Sequence, residues 1–186
     1  MQENSQAVTS LCVECGLCCD GSLFGAVELL DGENPPVESI RARKSETRFL
    51  ELPCKCFDGK CSIYESRPKR CTAYLCDTAK LVKSGRLPLS RGQSRVVELR
   101  EHIIMFRNLS GDQNTPAPAL ARRVIRDFRE RRHDSSYADA NRAIVVAAYR
   151  YRTLTNRYFR SRWKRRARRF LSLTATFVPV WLYRGK

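Results

Sequence analysis

Histidine is nearly absent from this 186-residue chain: His102 and His133 stand alone, neither with a partner at metal-ligand spacing. That scarcity argues against a histidine-built zinc site, although His102 could stand in for a cysteine, and against a Ser/His/Asp hydrolase. Paired carboxylates and a glycine-rich phosphate loop are also missing, so no nucleotide cofactor is predicted. The opening residues Met1-Gln2-Glu3-Asn4-Ser5-Gln6 have neither the basic start nor the apolar run of a secretory signal. A cytoplasmic location is therefore expected, peripheral to a membrane at most, where disulfides are the weaker use of cysteine. No long hydrophobic run exists either. The longest apolar-leaning stretch, Phe170 to Tyr183, falls short of the roughly 20 residues of a bilayer span and contains Pro179, so no transmembrane segment is expected.

Two further absences divide the chain. No cysteine follows Cys76, and only Asp127, Glu130, Asp134 and Asp139 carry negative charge after Pro116. Residues 1–116 hold 16 Lys/Arg against 15 Asp/Glu, while residues 117–186 hold 19 against four. Nearly all of the +16 formal charge thus lies in the last third. Such a block suits polyanions: nucleic acid, an anionic membrane surface or an acidic protein. Seven cations among Arg160–Arg169, with Tyr158, Phe159 and Trp163 nearby, suit phosphate contact and base stacking. The apolar tail that follows suits a membrane interface. A solvated helix face is the plainer alternative for the same residues.

What is present in abundance is thiol. All nine cysteines lie between Cys12 and Cys76, beginning with Cys12-Val13-Glu14-Cys15-Gly16-Leu17-Cys18-Cys19. Two spacer residues let a tight turn bring two thiolates to one tetrahedral centre, and Gly16 allows backbone conformations that other residues resist. Thiolates at this density suit zinc or iron–sulfur clusters, including a 4Fe-4S cluster, and poorly suit magnesium or calcium. Adjacent side chains point apart, so Cys18 and Cys19 serve different metals or one of them lies outside the ligand set. The later Cys54, Cys56, Cys61, Cys71 and Cys76 complete one four-sulfur site or, with the first four, two. Cys56 is the candidate spare, because Cys54-Lys55-Cys56 is cramped for chelating a single ion.

Leu11 to Ser22 shows no clean period and reads as a metal-organised loop. Val37 to Phe49 reads as a short polar helix, and Thr78 to Ser84 as another, closed by Gly85. Arg95 to Phe106 fits helix or strand. Ser110 to Pro118 reads as a linker. Beyond it, Leu120, Val124 and Phe128, then Ala140, Ile144, Ala147, Tyr151, Leu154 and Tyr158, recur at helical spacing and predict two amphipathic helices joined through Arg129–Ser136. The expected fold class is mainly α with an irregular, turn-rich cysteine/metal lobe. Residues 1–77 form the cysteine-cluster region, 78–116 the connecting region and linker, and 117–186 the basic helical region.

The two cysteine blocks, Cys12–Cys19 and Pro53-Cys54 with Cys61-Ser62-Ile63-Tyr64-Glu65-Ser66-Arg67-Pro68-Lys69-Arg70-Cys71, Tyr74 and Cys76, resemble the YkgJ-type CxxCxxCC cysteine-cluster family, described as zinc- or iron-chelating. The resemblance covers about residues 11–77. It implies ligand roles for Cys12, Cys15, Cys18, Cys19, Cys54, Cys61, Cys71 and Cys76, with Cys56 an addition, and supplies no reaction. Tyr64 can pack over such a site and Arg67 can donate towards its thiolates, or Tyr64 can sit in the core and Arg67 can pair with Glu65. A related cysteine region is similar to part of flagellin lysine N-methylases, but this chain is short for such an enzyme. Two function classes follow: a metal-binding accessory or interaction protein, and an iron–sulfur-dependent redox or protein-modifying enzyme.

Overall fold

The computed structural model describes residues 2–41 and 46–160, so most of the basic run and the apolar tail at 161–186 lie outside the described residues. Among the described residues, six helices and five short strands follow in the order α1 (Gln2–Cys15), β1 (Ala26–Leu29), β2 (Ile40–Arg41), β3 (Arg48–Glu51), β4 (Phe57–Asp58), β5 (Lys60–Cys61), α2 (Lys69–Ala73), α3 (Asp77–Lys83), α4 (Leu89–Ser110), α5 (Ala117–Arg131) and α6 (Ser135–Tyr158). The protein is mainly α, with the cysteines gathered in its turn-rich part.

The two helices expected after residue 116 are present as α5 and α6, and the span between them shortens to Arg132–Asp134. Their periodicity is realised as burial. Leu120, Ala121 and Ile125 on α5 face Ala147, Ala148, Tyr151 and Leu154 on α6, and α4 adds Val96, Leu99, Ile103 and Phe106. Alanines at the contact let the helix axes approach, and the Phe106 and Tyr151 rings stack with centroids 6.0 Å apart. His102 is buried in this packing, with Nε2 2.8 Å from the Ala147 carbonyl oxygen. It ties α4 to α6 and does not reach the cysteines. Arg95 to Phe106, which fitted either structure, is helical because every third or fourth side chain of α4 meets this core.

Two local expectations are corrected. The segment from Leu11 does not begin as a loop: α1 runs to Cys15, and Val8, Leu11, Cys12 and Cys15 recur at helical spacing, with thiols in places where a pattern search counts only aliphatics. The described part of Val37–Phe49 holds strands instead of a helix. β3 is the centre of a three-stranded antiparallel sheet ordered β1-β3-β2, with Val27 opposite Leu50 and Ile40 opposite Phe49. Cross-strand pairing overrides the weak local preference of that polar segment.

The stretch read as a linker is a capped turn. Gly111 ends α4 at φ 66°, and the Asp112 carboxylate accepts from the Asn114 and Thr115 backbone N–H, the Thr115 hydroxyl and Arg123 in the middle of α5. These donors hold the Asp112 carboxyl well below the usual carboxylate range. The basic helices also bond to the cysteine region. Tyr151 donates to the Ser22 carbonyl at 2.6 Å, Thr78 to that of Tyr158 at 2.6 Å and Tyr74 to that of Phe159 at 3.0 Å. Among the described residues no helix is long and apolar enough to cross a membrane.

Candidate metal centre

The last turn of α1 presents Cys12 and Cys15, three residues apart and therefore on one face. Gly16 then turns the chain at φ 56°, and its carbonyl accepts from the Cys19 and Asp20 backbone N–H at 2.7 and 2.9 Å. A Cβ at Gly16 would stand 2.1 Å from the Phe57 ring, so both the conformation and the ring require glycine. Cys18 and Cys19 follow in this turn. The Cys54 backbone N–H donates to the Cys19 carbonyl at 2.7 Å, which fastens the second cysteine block to the first.

Cys61 lies on β5 of a tight hairpin whose turn is Gly59 at φ 67°, as the Asp58-Gly59 signal predicts. Cys71 sits on α2, where Pro68 precedes the first turn and the Glu33 carboxylate accepts from the Lys69 N–H at 2.6 Å. That bond caps a helix whose own N-cap residue offers no side-chain acceptor. Cys76 is the N-cap of α3, its sulfur accepting from the Ala79 N–H at 3.3 Å.

These elements enclose one cavity of about 420 Å³. Cys12, Cys15, Cys18, Cys19, Cys54, Cys61, Cys71 and Cys76 all line it, together with Tyr64 and Arg67. Cys56, the spare expected from its spacing, is buried but does not line it. As the thiols stand, no three His, Cys, Asp or Glu side chains among the described residues are gathered tightly enough to hold an ion. The thiols border a space and have not closed on a point, so closing on an ion requires side-chain rotation between staggered positions.

Burial favours the protonated form of seven of these thiols. It pushes Cys15 and Cys19 up to about 12 and Cys71 and Cys76 up to about 11, and raises Cys12, Cys18 and Cys54. Neutral buried thiols are poor nucleophiles, so the site is not an array of activated cysteines. A bound cation reverses that balance, since coordination removes the proton from a thiol outright. The donor set is all soft sulfur in a largely apolar shell that includes Leu17, Leu52 and Phe24, a setting that fits zinc or iron.

Arg67 stacks on the Tyr64 ring, its guanidinium carbon 3.4 Å from the centroid, and donates to the Tyr64 carbonyl at 2.6 Å. From there its charge acts on both Cys12 and Cys71, opposing the effect of burial. Its neighbours are therefore Tyr64 and the cysteines. Arg100 has no signal in the sequence. From the middle of α4 it donates to the Glu14 and Cys15 carbonyls, 2.8 Å each, placing a cation at the C-terminal end of α1 beside Cys15.

No curated protein and no solved structure matches the chain. Residues 11–86, which supply all of the cavity lining except Val96 and Phe159, match the family model CxxCxxCC, described as "Putative zinc- or iron-chelating domain".

Proposed function

We propose that this chain is a metal-binding protein that holds zinc or iron, the latter as ions or as an iron–sulfur cluster, through Cys12, Cys15, Cys18, Cys19, Cys54, Cys61, Cys71 and Cys76. The observation that carries the reading is the cavity, which takes up these eight thiols from six separate pieces of chain and leaves Cys56 aside. Bound metal would supply a fixed positive charge and, if it is iron–sulfur, one-electron chemistry. The chain's own residues do the rest. The eight thiols give up their protons to become ligands. Arg67 and Arg100 offset the negative charge so formed, and Leu17, Leu52 and Phe24 keep bulk water away.

The deciding experiment is metal and acid-labile sulfide content of the full chain purified without oxygen. Iron with sulfide and a brown colour directs the function towards electron transfer or modification of a partner. Zinc without sulfide makes the centre a structural or metal-handling one. A reduced, folded chain that retains neither metal, and takes up neither on addition, overturns the reading. Cys15→Ser and Cys71→Ser are expected to lower the metal content, and unchanged content in both would remove their ligand roles.

A further inference from the structure

Six of the eight thiols pack against one or the other of two separate cores. Cys12, Cys15, Cys18 and Cys76 pack against the helical core that includes Leu11, Leu17 and Ala79. Cys54 is part of a second core with Leu29, Leu50 and Leu52, and Cys19 packs against that one. Cys18 and Cys19 are adjacent in sequence and face opposite cores, so the division falls between them.

The electrostatic neighbours sort the same way. Cys15 and Cys18 feel Cys12 and Cys76, whereas Cys19 feels Cys54, Cys61 and Cys71. Cys71 in turn feels Cys54 and Cys61, and its helix α2 packs on β1, which together assign Cys71 and Cys61 to the strand side. The contact across the divide is between Cys18 and Cys19 themselves.

We infer that the chain holds two separate four-sulfur centres: Cys12, Cys15, Cys18 and Cys76 on the helical wall, and Cys19, Cys54, Cys61 and Cys71 on the strand wall. The inference rests on the metal-binding reading above and deepens it. Four thiolates close the coordination of one zinc ion or ligate one four-iron cluster, so eight ligands divide without remainder and Cys56 is not needed. Each set of four also draws on two segments distant in sequence: α1 with the start of α3, and the turn after Gly16 with the Cys54–Cys71 block. Each centre therefore staples its own wall. A four-thiolate site around a divalent ion is formally dianionic, so two of them in one cavity repel. Arg67, acting on Cys12 of one set and Cys71 of the other, stands where a cation relieves that repulsion.

The test uses the full reduced chain, stripped of metal and titrated with Co²⁺ and then with ¹¹³Cd²⁺ without oxygen. Two equivalents are expected, with thiolate-to-cobalt absorption rising to the second, and with two cadmium resonances in the four-thiolate range that show no coupling to each other. Cys76→Ser should remove one resonance and Cys61→Ser the other, while Cys56→Ser keeps both. Saturation at one equivalent, or cadmium–cadmium coupling through a shared sulfur, would overturn the division and leave metal binding standing. So would the loss of both resonances from a single substitution whose helical circular dichroism is unchanged. Where a substituted chain does not fold, the wild-type stoichiometry and coupling decide. No bound cobalt or cadmium at all overturns the metal-binding reading itself.

Discussion

The helical wall of the cysteine cavity rests on nineteen buried apolar residues, drawn mostly from α1, α3, α4, α5 and α6, whereas the wall carried by strands rests on five, two of which are Cys54 and Cys56. The first has a core able to stand by itself. The second consists of strands two to four residues long, too short to be stable without something that ties them together. On the metal-binding reading proposed above, metal would decorate the first wall and organise the second, and cysteine would have a different weight on each side.

The largest expected effect comes from stripping the metal at neutral pH. Amide hydrogen exchange across Arg48–Cys61 should quicken by roughly two orders of magnitude or more, while α4, α5 and α6 keep most of their protection. Equal loosening of both halves would break the comparison. Next, Leu99→Ala should cost about 2–5 kcal/mol in urea unfolding, with or without metal, because Leu99 is fully buried in the helical core.

Third comes pH. In the metal-free fold the thiols are raised from an ordinary value of 9, Cys71 and Cys76 to about 11 and Cys15 and Cys19 to about 12. The folded state therefore holds protons that the unfolded state releases. The stability these groups contribute is complete below pH 9 and is lost as pH rises through 11 and 12. The stripped chain should lose more than the zinc-loaded chain over that range, on the order of 2 kcal/mol for each thiol so raised. Urea unfolding of both forms from pH 8 to 11.5 checks it, and parallel curves would clear the thiols of responsibility.

Tyr151→Phe should cost about 1–2 kcal/mol by leaving the Ser22 carbonyl without its donor, and should change metal content little. A large loss of metal would show that α6 positions the Cys18–Cys19 turn as well as bracing it. The smallest effect belongs to Arg67→Ala. Its charge opposes the upward push of burial on Cys12 and Cys71, so removing it strengthens proton competition at both. The midpoint of acid-induced metal release should move upward by about 0.3–0.5 pH unit. An unchanged midpoint would leave Arg67 as a stacking partner of Tyr64 alone.

Much of this was legible before the fold. Leu120 and the periodic residues of α6 predicted their helices because an amphipathic period survives whatever it packs against. Asp58-Gly59 and Gly85 marked turns through backbone conformations that few residues adopt. The end of α1 was missed because its inward face carries Cys12 and Cys15 beside Leu11. The strands around Phe49 were missed because their partners lie elsewhere in the chain. Arg100 could not have been found at all, since nothing near it in sequence indicates the Cys15 carbonyl it caps.

The sequence by itself marked the thiols as the candidate donors and indicated the class of metal they suit, because thiol chemistry and C-x-x-C spacing are local properties. It also isolated Cys56, since one spacer residue is a local constraint too. Only the tertiary structure decided that eight thiols share one cavity and that Cys18 and Cys19 pack against different cores. Which core a cysteine packs against depends on segments brought together from across the chain, and the burial that favours the protonated form of Cys12, Cys15, Cys18, Cys19, Cys54, Cys71 and Cys76 exists only once those segments meet.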